Sequence, residues 1–218
     1  MPATSSNARF ILLAISLGLL CLAAGATAWR IYEARQSNTN DSLILLPEPR
    51  IIADFALVDQ HNGHFSLDGF KGHWSLLFFG FTTCPDVCPN TLYQLQQARK
   101  VMLAKMPEST VPQIYLVSVD PERDTPPKLA AYLGYFDPAF TGLTGAAEQL
   151  QALAYQLGVA YFIEPHETGD PEYHVDHSAS LLLLNSDAQL LGVLPPPHES
   201  SAIAQAVMTV IRQGGRAP

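Results

Sequence analysis

An α/β domain, with helices layered on both faces of a mixed sheet and one transmembrane helix ahead of it, is what three features of the sequence predict. Trp74 to Phe81 is a continuous apolar run, the pattern of a strand buried on both faces of a sheet. Beyond it, strand-like and helix-like segments alternate to the end of the chain. Ahead of it, Phe10 to Trp29 is twenty residues without a charge. At ~1.5 Å per residue such a helix spans the roughly 30 Å of a bilayer's hydrocarbon.

Residues 1–9 read as a tail and 10–29 as the anchor. Ala24-Gly25-Ala26 or Ala26-Thr27-Ala28 would suit a signal-peptide cleavage site, but the apolar run exceeds the ~7 to 15 residues of such a leader, and a retained anchor is expected. Arg9 precedes the run and Arg30 and Arg35 follow it, so charge bias does not set its orientation. Cys21 follows Leu20, where a lipoprotein would have a small residue, and reads as a membrane-buried free thiol. Residues 30–49 read as a linker that ends in an extended, proline-bounded strip.

The domain is expected over 50–213. It opens with a hairpin turning at Asn62-Gly63. After the buried strand, Thr91 to Met106 carries Leu92, Leu95, Val101 and Leu103 on one side of a helix, and Gln113 to Asp120 is the next strand. The resulting βαβ unit makes those two strands parallel. A charged turn, Asp120 to Pro127, leads to a helix over Lys128 to Tyr135 with Asp124 or Thr125 as its N-cap. Ala146 to Leu157 is a helix closed by Gly158. A short strand near Val159 to Ile163 and a polar loop follow. Then come a hairpin, Ser178 to Leu184 and Gln189 to Leu194, and a last helix from Ser200 to Arg212. This is the element order of a thioredoxin-like fold with a front hairpin and an inserted helix and strand. In such sheets the reactive groups gather at the carboxyl ends of the parallel strands.

Cys84-Pro85-Asp86-Val87-Cys88-Pro89 stands at such an end. Each cysteine precedes a proline, which disfavours the α region, so both are expected to be extended, with the helix beginning near Asn90. A helix N-terminus beside them would favour thiolate over thiol. The formal charge is −8, and from residue 50 onward nine Lys/Arg face 17 Asp/Glu. With no basic block, nucleic-acid binding is set aside.

Of seven histidines, His177 enters the hairpin strand expected beside the cysteine loop. His174 is turned to the other face by alternation, and His61 and His64 read as exposed turn residues. Two thiols and an imidazole form a soft, low-coordinate set suited to Cu(I), and to Cu(II) with an added ligand. Zinc ranks lower because it normally takes four protein ligands, though Asp120 or Asp124 could supply an oxygen. In the competing reading Cys84 and Cys88 are the redox pair of an extracytoplasmic thiol-disulfide oxidoreductase, although their spacing is one longer than Cys-x-x-Cys.

The ordered motifs Phe79-Gly-Phe-Thr-Thr-Cys-Pro-Asp-Val-Cys-Pro89, Val119-Asp-Pro-Glu-Arg-Asp-Thr-Pro126, Gly142-Leu-Thr-Gly145 and Val175-Asp-His-Ser178 resemble the Sco/SenC family of membrane-anchored copper proteins over roughly residues 50 to 200. The resemblance implies a thioredoxin-like domain that binds copper through Cys84, Cys88 and His177. It implies a copper chaperone that assists assembly of the dinuclear copper centre of cytochrome c oxidase, with subunit II or its apo form as partner and an upstream copper donor. It places the domain in the periplasm, held at a bacterial-type inner membrane by a single pass.

Overall fold

The computed structural model describes residues 5–37, 43–170 and 172–214. The chain divides into two units, residues 1–40 and 41–218. The first holds helix α1, Ser5–Ser37. It includes the uncharged run, and its described apolar side chains, among them Leu17, Leu20 and Trp29, are exposed, as is Cys21. Among the described residues no helix is long and apolar enough to cross a membrane.

In the second unit, the strands in chain order are β1 (Ile44–Arg50), β2 (Leu57–Asp59), β3 (His64–Phe65), β4 (Ser75–Gly80), β5 (Gln113–Ser118), β6 (Thr141–Thr144), β7 (Tyr161–Ile163), β8 (Val175–His177), β9 (Leu181–Leu184) and β10 (Leu190–Leu194). The helices are α2 (Val87–Leu103), α3 (Pro126–Gly134), α4 (Ala147–Leu157) and α5 (Ser200–Arg212). Eight strands form one sheet in the order β1-β10-β9-β4-β5-β6-β2-β3. β4 runs parallel to β5, and β5 to β6; the remaining neighbours are antiparallel. This is the mixed sheet the sequence predicts.

Every residue of β4 is buried, as its unbroken apolar run requires. The hairpin pairs Leu57 with Phe65 and Val58 with His64, and Asn62 in its turn takes a positive φ of 64°. α4 ends where expected, on Gly158 in the left-handed region. α2 packs on α5. It also meets the segment after α3, where Gln96 donates to the Phe136 carbonyl and Arg99 pairs with Asp137.

Three expectations give way, and one strand, β6, is not anticipated from the sequence. The strip read as the end of the linker is β1, an edge strand paired antiparallel with β10; its prolines are tolerated because an edge strand has one side free of ladder bonds. Thr141–Thr144 forms β6, held by β5 and β2. Val175–His177 is a strand of its own, β8, paired with β7 in a separate two-stranded sheet that places His177 opposite Tyr161. α2 starts at Val87, so Cys88 is helical. Pro89 thereby falls in the first turn, where its missing N–H leaves no bond unmade, and this outweighs its effect on the residue before it.

A candidate metal centre at the end of the central strand

β4 ends at Gly80, and the chain must turn at once to reach α2. Cys84 lies in that turn, and its sulfur accepts the backbone N–H of Cys88 at 3.4 Å. The sulfur thus does what a capping side chain would do, and Asp86 at the N-cap position makes no side-chain cap bond. Cys88 follows in the first turn of α2, wholly buried. Both thiols are free.

His177 reaches the pair from the two-stranded sheet. Its Nε2 lies 3.3 Å from the Cys88 sulfur and its Nδ1 lies 3.2 Å from the Ser178 carbonyl oxygen. A carbonyl can only accept, so Nδ1 carries the ring proton and Nε2 turns its lone pair toward the thiols. The orienting bond is of the kind that fixes the tautomer of a metal-ligating histidine. Phe78 and Phe81 meet the imidazole edge-on, with centroids at 5.9 and 5.7 Å. Burial lowers the pKa of His177, so the ring is neutral at physiological pH.

The ligand atoms of Cys84, Cys88 and His177 lie within 4.8 Å of one another, and they are the one such cluster among the described residues. They fit a soft, low-coordinate ion. His174 is exposed and stands outside the cluster, and it lines the same cleft as Cys84 and His177. The expectation that the helix end would favour thiolate does not hold at Cys88. Burial is the largest influence there, joined by its hydrogen bond with Cys84, and the thiol is pushed well above its ordinary range.

Asp120 and Asp124 cannot complete a four-ligand zinc site, because both are fully buried and engaged elsewhere. Asp124 accepts the Thr82 N–H at 3.0 Å and hydroxyl at 2.5 Å, and the Ser118 hydroxyl at 2.8 Å, while Lys128 stands 3.6 Å away. It ties the Cys84 loop to the end of β5 and is not the N-cap of α3. That position belongs to Thr125, whose side chain makes no cap bond.

Asp120 accepts Arg123 Nε and the Tyr173 hydroxyl, each at 2.5 Å. Arg123 lies 3.7 Å over the Tyr173 ring and donates to the Tyr173 carbonyl. This knot fastens the chain that enters β8 to the exit of β5. Neither it nor the close approach at Gly80 is anticipated from the sequence, although an isolated glycine in an apolar strand signals such an approach. At Gly80 a Cβ would stand 3.0 Å from the Cys88 sulfur.

An open cleft of about 700 Å³ lies over Cys84 and His177, lined by Cys84, Pro85, Asp86 and Val87 on one side and by Phe162, Glu164 and residues 174–177 on the other. His61 and His64 sit far along the chain in the β2–β3 hairpin, outside this lining.

The family model described as SCO1/SenC matches residues 45–212. A relative from Stutzerimonas stutzeri is 36% identical over 213 residues, covering 97% of this chain and 98% of the relative. The SCO2-like protein of Rickettsia felis is 37% identical over 142 residues, covering 65% and 68%. Among solved structures, Arabidopsis thaliana ScoI with copper bound aligns at a TM-score of 0.68 and 31% identity, covering 75% of this chain and 99% of that one. Yeast Sco1 with copper bound aligns at 0.70 and 26%, covering 78% and 92%.

Proposed function

Because the chain belongs to the SCO1/SenC family, we propose that it is a copper chaperone that holds its cargo between Cys84, Cys88 and His177 and passes it on for assembly of the dinuclear copper centre of cytochrome c oxidase. The observation that carries this reading is the convergence of two thiols and a tautomer-fixed Nε2 within 4.8 Å, with no fourth side-chain ligand among the described residues. Structures of its relatives have copper bound. The donor set suits Cu(I), and Cu(II) with an added ligand. In this reading the chain's own work is to hold a soft ion in a pocket walled by Phe78 and Phe81. The recipient is the apo form of oxidase subunit II, and an upstream donor supplies the copper. The uncharged run from Phe10 to Trp29 in α1 supports a membrane anchor, with residues 36–218 on the periplasmic side of a bacterial-type inner membrane.

The test is copper stoichiometry and affinity in single variants. Cys84→Ala, Cys88→Ala and His177→Ala should each lose tight binding and keep the fold, while His174→Ala keeps both. Tight binding by His177→Ala would refute the ligand assignment.

A second reading, thiol-disulfide exchange, is favoured by the closeness of two free cysteines at a helix start. The two readings exclude each other in time, since a disulfide removes both thiolate ligands. A domain with a verified Cys84–Cys88 disulfide should therefore bind little Cu(I), and reduction should restore about one ion per domain, the number one cluster of three ligands accommodates. Equal affinity of the two forms would place the metal elsewhere.

A further inference from the structure

The cleft over Cys84 and His177 is lined by one sign of charge. Asp86 stands on the cysteine side and Glu164 and Asp176 on the β7–β8 side, all three exposed. Among the described residues that line it there is no Lys or Arg. Each side also presents apolar surface: Val87 is 38% exposed, and Phe162, on β7 between two half-buried neighbours, is 60% exposed. A large aromatic held open beside a cleft contributes little to packing this domain and has the character of an interface anchor. The floor of the same cleft is formed by two of the three copper donors.

We infer that this cleft docks an extended segment of a partner protein that carries Lys or Arg on both sides of its own copper-accepting cysteines. The inference rests on the chaperone reading and names the chemistry of the recipient. Cysteines in the middle of the segment lie over Cys84 and His177, basic residues to either side face Asp86 and the Glu164–Asp176 pair, and an apolar residue covers Phe162. The domain's wider excess of 17 acidic over nine basic residues from position 50 onward draws such a segment in and repels acidic ones. Exposed charge pairs act mainly on encounter and selection, and so the preference weakens with salt.

The probe is a pair of fluorescent peptides with two central serines in place of the cysteines, one flanked by Lys and the other by Glu. Each is titrated into the full-length chain in neutral detergent micelles and followed by anisotropy. The Lys peptide should bind at least tenfold more tightly at low ionic strength, and the advantage should shrink in high salt. Glu164→Lys with Asp176→Lys should reverse the preference. Phe162→Ala should weaken both peptides and keep their ratio. Equal binding, binding of neither peptide, an unchanged preference in the double variant or an unchanged affinity in Phe162→Ala would overturn the inference. Copper uptake by the same samples reports on the chaperone reading alone. Uptake without a charge preference sinks only the docking inference, and a preference without uptake sinks only the chaperone.

Discussion

Gly80→Ala adds one methyl group that touches no ligand atom of His177, yet it should impair copper binding through two of the three ligands. The added carbon would stand 2.9 Å from Phe78 Cε1, 3.0 Å from the Cys88 sulfur and 3.3 Å from Leu116 Cδ1. Phe78 and Leu116 are fully buried, and Phe78 is itself in edge contact with His177. Leu116 is the most distant of the three, so relief falls first on Phe78, which abuts the imidazole, and on Cys88. Overpacking a core in this way costs ~1–3 kcal/mol. For a unit of this size each kcal/mol lowers Tm by roughly 2–4 °C. Holding Cys88 in place for the metal restores the strain that its retreat relieves, so much of the same cost reappears in affinity. At ~1.4 kcal/mol per tenfold, Cu(I) affinity should fall roughly tenfold to a hundredfold. Competition against a Cu(I) chelator of known affinity measures the second effect, and thermal unfolding of the apo protein measures the first. Gly134→Ala is the control, because its Cβ meets nothing within 4 Å. Wild-type affinity together with wild-type Tm in Gly80→Ala would refute the reasoning.

Asp124→Ala should lower stability through the Thr82 N–H and Ser118 hydroxyl it leaves unpaired, at ~1–3 kcal/mol for each buried group so abandoned; chemical denaturation reads it, and a loss under 1 kcal/mol would speak against the clamp. Burial lowers the pKa of both His73 and His177. The unfolded chain therefore takes up protons that the native one refuses, so apo stability present above the ordinary histidine value of 6.5 is lost as pH falls through it. His73→Gln should flatten part of that acid limb, and an unaltered pH profile would remove His73 from the account. Copper(I) loading at neutral pH displaces the proton that burial keeps on Cys88, so affinity should rise with pH, and calorimetry in buffers of different ionisation enthalpy should detect the released proton. A reporter fused after Pro218 should be active only if it works in the periplasm; cytoplasmic activity would overturn the topology.

What the sequence made legible is what local chemistry decides. α5 has the predicted bounds, Ser200–Arg212, because its apolar residues recur at helical spacing, and α4 stops at Gly158 because that residue is left-handed. β4 announced itself by its apolar run, and the cysteine pair by type and spacing. β6 escaped because Thr141-Gly-Leu-Thr144 has neither length nor alternation; its two neighbours in the sheet make it a strand. Cys88 departs from the extended backbone expected before a proline because α2 begins at Val87 and puts Pro89 in its first turn. Asp120 reads as part of a charged turn and a possible oxygen ligand until Tyr173, 53 residues later, is brought onto it. Burial of that kind is a property of the assembled chain, and no window of sequence contains it.

The thiols and the imidazole belong to parts of the molecule with unequal hold on the rest. Cys84 and Cys88 are rooted in β4 and α2, at the centre of the eight-stranded sheet, whereas His177 ends a three-residue strand whose ladder partner is the equally short β7. An ion shared among the three is a rivet between a rigid frame and a small flap. Local opening of a two-stranded element is cheap beside global unfolding. Opening of the flap, against the hold that Asp120 and Arg123 keep on Tyr173 ahead of β8, would withdraw the histidine and leave the two sulfurs as the ion's remaining protein ligands. Amide exchange in Tyr161–Ile163 and Val175–His177 should slow sharply on loading while exchange in β4 stays as it was, which makes the flap's protection a direct clock for copper release.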